Sequence, residues 1–125
     1  MSKAQSASVL DANFLDGNKM GGHVYDCQTQ QEWSKYVGRH KAVIDFHAQW
    51  CGPCKQIAHH FKQLASEHRD VHFVKVDIEN EAMSDVVREF DVRALPTFIV
   101  MDRGKVKECI VGANLEKLKD VLVHL

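Results

Sequence analysis

The spacing of apolar residues changes several times along this chain, and each change marks an element boundary. Ala42 to Ala48 is dense in β-branched and aromatic residues and is interrupted only by Asp45 and His47, which predicts a buried strand. Beyond Cys51-Gly52-Pro53 the period lengthens. Cys54, Ile57, Ala58, Phe61, Leu64 and Ala65 recur at intervals of three and four, one apolar face of a helix expected to open at Cys54. Val71 to Ile78 is too short and too β-branched for a helix and reads as a further strand. Asn80 is placed to cap a helix that buries Met83, Val86, Val87 and Phe90. Thr97–Met101 and Val106–Val111 then flank Asp102-Arg103-Gly104-Lys105, a hairpin with glycine in its turn. Asn114 caps a last helix bearing Leu115, Leu118, Val121 and Leu122.

Upstream, His23 to Tyr25 predicts a short strand, and Thr29-Gln30-Gln31-Glu32 has capping-box spacing at the start of a helix that Gly38 ends. The order βαβαβαββα joins a parallel half to an antiparallel hairpin. It requires an α/β fold with a central mixed sheet flanked by helices on both faces. Residues 1–22 show no sustained periodicity and are expected to be a disordered extension, leaving 23–125 as the folded domain. A transit peptide is Arg-rich and acid-poor, whereas this stretch has no Arg and carries Asp11 and Asp16.

Composition narrows the function classes. A chain of 125 residues suits one domain with a core of its own. Its net charge of −1 is evenly scattered, so there is no footprint for nucleic acid or an anionic membrane. No apolar run approaches the ~20 residues that span a bilayer. The four cysteines, Cys27, Cys51, Cys54 and Cys109, come without a signal-peptide pattern, which favours a reducing compartment, the cytoplasm, over a secreted disulfide framework. Cys27 and Cys109 read as small hydrophobes.

The chemistry concentrates at Cys51-Gly52-Pro53-Cys54. Pro53 presets the backbone for a first helical turn, and the positive end of that helix favours a thiolate at Cys51. Cys51 is then the nucleophile, while Cys54, further inside and within reach, can resolve a mixed disulfide. A zinc reading competes, because Cys51, Cys54, His68 and His72 have the spacing of a Cys2His2 site. A helix starting at Cys54 and a strand holding His72 would point those ligands apart, so the redox reading is preferred and no metal is expected. Asp45 lies in a run that should be buried, where an ionised carboxylate is disfavoured and its pKa rises. A carboxylate merely bonded to backbone is the alternative.

Trp50-Cys51-Gly52-Pro53-Cys54-Lys55, flanked by Asp45, Phe46 and Ala48, resembles the active-site signature of the thioredoxins. Val92-Arg93-Ala94-Leu95-Pro96-Thr97-Phe98 resembles the family's cis-proline strand entry, Gly104 its hairpin turn, and Val111-Gly112-Ala113 the loop beside its active site. The likeness runs from about Val24 to the C-terminus. It implies the thioredoxin fold and a protein-disulfide reductase that ends its cycle with a redox-active Cys51–Cys54 disulfide. It assigns Asp45 as proton acceptor for Cys54 and Lys75 as its tuning partner, although a solvated edge lysine would look the same. Trp50, Gly52, Pro53, Leu95, Pro96, Thr97, Gly112 and Ala113 are expected to form an apolar, peptide-pairing surface around Cys51, unless Trp50 is ordinary core. A cis bond is uncommon for X-Pro in general, yet the resemblance implies one before Pro96.

By the same resemblance the chain binds no cofactor. It is recharged by a thioredoxin reductase that carries flavin and draws on NADPH. Peroxiredoxins, methionine sulfoxide reductase and ribonucleotide reductase are the implied substrates, and a monomer is expected. A dithiol oxidase or isomerase, or a binding module on the same scaffold, are the rival readings. Two departures from the family pattern stand out. His47 occupies a position where many relatives carry Trp, and His59 one where many carry a helix-kinking Pro, so the active-site helix should be straighter. The remaining histidines, His72 among them, read as surface residues.

Overall fold

The computed structural model describes residues 21–125. The expected extension therefore lies outside the described residues, apart from Gly21 and Gly22. Gly21 is buried, and a side chain there would collide with the Arg69 carbonyl.

Five strands form one sheet: β1 Val24–Asp26, β2 Lys41–His47, β3 His72–Asp77, β4 Thr97–Asp102 and β5 Lys105–Val111, in the spatial order β1-β3-β2-β4-β5. The pairs β1–β3 and β3–β2 are parallel, while β2–β4 and β4–β5 are antiparallel. The helices are α1 Gln30–Val37, α2 Gly52–Glu67, α3 Ser84–Glu89 and α4 Leu115–Val123. Alternation along the strands sends Val43, Phe73, Phe98 and Val100 to one face, against α2 and α4. Ile44, Phe46, Val74, Val76 and Ile99 go to the other face, where α1 and α3 cover them. Both faces of β2 are thus buried, as its near-continuous apolar run requires.

Local chemistry sets most boundaries. Thr29 accepts a hydrogen bond from the Glu32 N–H at 3.1 Å, whereas the Glu32 carboxylate returns to the Gln28 N–H at 2.7 Å, one residue ahead of the cap. In the hairpin, Arg103 and Gly104 have φ of 50° and 88°, the paired left-handed conformations that a two-residue turn needs to match the strand twist.

Three expectations are corrected. Helix α2 opens at Gly52 rather than Cys54, because the Cys51 sulfur itself serves as its cap. Asn80 caps a short 3-10 turn, Glu81–Met83, and the α-helix proper begins only at Ser84; the tighter turn seats Met83 in the core with no exposed surface. His72 is not a surface residue. It is 6% exposed on β3, its Nδ1 lies 2.7 Å from the Tyr36 carbonyl, and its ring sits 4.1 Å from that of half-buried His40. Burial, His72 and Arg39 together push the His40 pKa down.

Phe61 joins α2 to the sheet, its ring 5.1 Å from Phe73 and 5.7 Å from Phe98. Phe61→Ala should lower the unfolding free energy by about 3–5 kcal/mol. Equilibrium urea denaturation checks this, with the midpoint moving and the slope unchanged.

Candidate active site

Strand β2 delivers the chain at Ala48 into a turn closed by the Cys51 N–H, which donates to the Ala48 carbonyl at 3.1 Å. Pro53 then occupies the first turn of α2, where no N–H is needed. Cys51 holds the cap position in extended backbone, and its Sγ accepts the Cys54 N–H at 3.2 Å. The two cysteines form a disulfide with Cα atoms 5.3 Å apart. In the reduced state the same N–H and the helix dipole would stabilise a thiolate on Cys51. Helix α2 runs unbroken through His59.

Burial does not rank the two cysteines, since each is 5% exposed. Their surroundings do. Cys51 lines a groove of about 330 Å³ together with Trp50, Gly52, Pro53 and Leu95. Cys54 lines a separate cleft of about 420 Å³ with His47, Ala58 and Lys75. One sulfur faces a peptide-sized, largely apolar groove, and the other faces titratable groups.

Trp50 is 65% exposed, which rules out the core reading, and its Nε1–H donates to the Glu79 carboxylate at 2.9 Å. Glu79 was not expected from sequence; the only local hint is the Asp77-Ile78-Glu79 turn after β3, where the Glu79 N–H donates to Asp77 Oδ1 at 2.9 Å. The groove also recruits Ile78, Val92, Arg93 and Ala94, which no periodicity singles out. The Leu95–Pro96 bond is cis. Gly112 donates its N–H to the Pro96 carbonyl at 2.7 Å, and buried Thr97 donates Oγ1–H to the Ala94 carbonyl at 2.6 Å, so both hold the proline segment without lining the groove. Ala113 is exposed beside Gly112 and does not line the groove either.

Asp45 is 1% exposed, and neither carboxylate oxygen has a hydrogen-bond partner among the described residues. The backbone-bonded alternative therefore fails. Its neighbour in register on β3 is Lys75, which on its other side meets Asp26 of β1. With a strand on each side, Lys75 is not an edge residue. Burial raises the Asp45 pKa to about 7, and the nearby Lys75 charge only partly opposes this.

The zinc reading also fails on geometry. Cys51 and His68 cap opposite ends of a sixteen-residue helix, roughly 24 Å apart. His72 belongs to the other face of the sheet, against Tyr36. Among the described residues no group of three His, Cys, Asp or Glu side chains could hold a metal ion, and no helix is long and apolar enough to cross a membrane.

Such an arrangement exchanges a dithiol for a disulfide, and fold and site together define a protein-disulfide oxidoreductase. The family model Thioredoxin matches residues 24–124. Thioredoxin H3 of Arabidopsis thaliana is 42% identical over 113 residues, covering 81% of this chain and 94% of its own. Among solved structures, thioredoxin f from spinach chloroplast (long form) superposes with a TM-score of 0.79 at 30% identity, covering 86% of this chain and 90% of its own. A thioredoxin f2 solved in complex with ferredoxin:thioredoxin reductase gives a TM-score of 0.76 at 30% identity, covering 84% of this chain and 96% of the matched one. The chain belongs to the thioredoxin family.

The raised pKa of Asp45 fixes a sign for stability. Between about pH 4 and about pH 7 the folded protein keeps the Asp45 proton while the unfolded chain has lost it, so stability falls as pH rises through that window. The loss is at most about 4 kcal/mol. Oxidised Asp45→Asn should match the native protein near pH 4 and exceed its stability at pH 8 by up to that amount. Urea unfolding at the two pH values reads it directly; a difference that stays constant with pH would mean that Lys75 fully compensates the carboxylate.

Proposed function

We propose that Cys51 is the attacking thiol, Cys54 the resolving thiol and Asp45 the base in the reduction of protein disulfides. The observation that carries this reading is the division of surroundings: Cys51 opens to the groove from the cap of α2, and Cys54 opens to the cleft with Lys75, whose neighbour in register is buried Asp45. The Cys51 thiolate attacks one sulfur of the substrate disulfide; a new S–S bond forms and the other substrate sulfur leaves as thiolate. Cys54 then loses its proton to Asp45 and attacks Cys51 Sγ. The Cys51–Cys54 bond closes, the second substrate thiolate leaves, and both substrate thiolates take up protons from solvent while the Cys54 proton stays on Asp45.

The groove suits an extended substrate segment. Of the expected partner surface, Trp50, Gly52, Pro53 and Leu95 wall the groove, Thr97 and Gly112 brace the segment around Pro96, and Ala113 does neither. Glu79 fixes the Trp50 wall. Lys75 would favour the ionised form of Asp45 and so limit how far its pKa rises. A flavin- and NADPH-dependent reductase returns the disulfide to the dithiol; the relative solved with ferredoxin:thioredoxin reductase supports a reductase partner in general and says nothing of that electron source. The chain then carries electrons from that reductase to proteins such as peroxiredoxins, methionine sulfoxide reductase and ribonucleotide reductase, as a monomer with no bound cofactor. Cytoplasmic residence fits the unpaired thiols of Cys27 and Cys109. Residues 1–20 are not needed for this chemistry, so a chain beginning at Gly21 should keep full reductase activity.

Cys51→Ser should abolish insulin reduction, and Cys54→Ser should accumulate as a mixed disulfide with its substrate, visible by non-reducing electrophoresis. Retained turnover in the first or no trapped species in the second would reverse or void the roles. Asp45→Asn should leave the first attack intact in stopped-flow measurements and slow release of the mixed disulfide at neutral pH by on the order of 100-fold.

A further inference from the structure

The two sulfurs of the disulfide differ in what can reach them. The groove of about 330 Å³ touches Cys51 and not Cys54, and the cleft of about 420 Å³ touches Cys54 and not Cys51. A cleft of that volume falls within the ~300–1,000 Å³ range of small-molecule sites and is far too small for a folded protein. Beside Cys54 it is lined by His47, Ala48, Gln49, Lys55, Ala58 and Lys75. These walls hold two ammonium groups and no carboxylate. Acids stand only around Lys75, with Asp45 beside it in register and Asp26 and Asp77 lining the adjoining cleft. Exposed Lys55 forms no ion pair among the described residues, so its charge is open to a ligand. In a chain whose net charge is −1, this is a local positive pocket at one sulfur.

Displacement at a disulfide runs in line through the sulfur attacked, and it is faster the more stable the departing thiolate. Attack on Cys54 expels Cys51, whose sulfur accepts the Cys54 N–H at 3.2 Å and caps the positive end of α2. Attack on Cys51 expels Cys54, whose sulfur accepts no backbone N–H among the described residues. Leaving-group chemistry thus favours entry at Cys54. The cleft that reaches Cys54 without touching Cys51 opens that approach to a molecule small enough to fit.

We propose that this cleft is a site for a small thiol bearing a carboxylate, and that such a thiol reduces the disulfide by attacking Cys54 rather than Cys51. The proposal rests on Cys51 having the better stabilised thiolate, as in the reading above, and not on the role of Asp45. The carboxylate pairs with Lys55 and Lys75. The entering thiolate bonds to Cys54 Sγ, the Cys51–Cys54 bond breaks, and its electron pair leaves on Cys51. A second small thiolate then attacks the sulfur of the bound thiol; a small-molecule disulfide departs, and Cys54 leaves as thiolate and takes a proton from solvent. Two electrons pass from two thiols to one protein disulfide, and no other reductant takes part. Electrons enter by a route that leaves the groove over Cys51 free.

The test reduces the oxidised protein with 3-mercaptopropionate, 2-mercaptoethanol and cysteamine, thiols of like size bearing a negative, a neutral and a positive group. Each rate is divided by that of the same thiol with hydroxyethyl disulfide, which cancels intrinsic nucleophilicity. Samples are quenched in acid, alkylated and mapped by fragmentation mass spectrometry. At low ionic strength the anionic thiol should react on the order of 10-fold faster than the neutral one and the cationic thiol slower still, with the differences shrinking as salt is added. The earliest quenches should carry the small thiol on Cys54 and the alkyl group on Cys51. Lys55→Glu should remove the preference for the anion; because Cys51 leaves in every case, the ratio between thiols is untouched by any change in its stability. Should Lys55→Glu fold poorly, Gln49→Glu places the same charge on another wall. Equal normalised rates, or the small thiol found first on Cys51, would overturn the proposal. If Cys54→Ser traps no substrate, Cys51 is not the reactive sulfur and the reading beneath the proposal fails with it; trapped substrate without any preference among the thiols removes this site alone.

Discussion

Hydrogen bonding on both edges of β2 is the constraint from which the active site follows. The strand pairs with β3 over Ala42 to His47 and with β4 over Lys41 to Phe46, so neither edge is free and its register is fixed from both sides. A slip of one residue would exchange the faces, sending Asp45 under α1 and α3 and moving Ile44 and Phe46 to the α2 side. The present register sets Asp45 beside Lys75 and puts His47 at the rim of the α2 side. It also aims the end of the strand at the turn from which α2 starts. The position of the Cys51 sulfur therefore depends on backbone hydrogen bonds made several residues away from it.

The same register places a carboxylate where the sheet is driest. A group with no hydrogen-bond partner among the described residues and almost no exposed surface opposes folding whenever it is ionised. An apolar side chain of similar size would avoid that penalty. Its retention is understandable if the raised pKa is useful, since a base near neutrality can both take and return a proton at working pH. Lys75 sits between two acids, Asp26 and Asp45, so its charge is shared across three strands and cannot fully serve either one. The pKa of Asp45 is thus set by burial first and by the partial opposition of Lys75 second.

The dithiol gains its direction from the same geometry. In the disulfide form both cysteines are equally buried, and a description by exposure alone would treat them alike. Cys51 is distinguished by capping α2 and by the groove that Trp50 and the segment from Val92 to Leu95 enclose, while Cys54 looks into a cleft lined by His47, Lys55 and Lys75. Glu79 contributes by accepting the Trp50 indole N–H, which tethers a large, mostly exposed ring beside the groove.

The sequence by itself determined the order of elements, the faces of α2 and α4, the hairpin at Arg103-Gly104 and the dithiol at the head of a helix. These rest on short-range physics: side-chain period, cap chemistry and the fixed φ of proline, all legible within a few residues. Even there the start of α2 was misplaced by two positions, because a cysteine acting as cap has no strong propensity signal. Tertiary structure decided what depends on residues distant in the chain. Glu79 reached Trp50 across 29 positions, and His72, polar by composition, became a core residue once Tyr36 offered its carbonyl and His40 its ring. The alignment of Asp26, Lys75 and Asp45 likewise arises only when parallel strands take up a register. A strand's own pattern specifies which face a residue occupies, but not which partner stands opposite it; that choice belongs to the whole sheet.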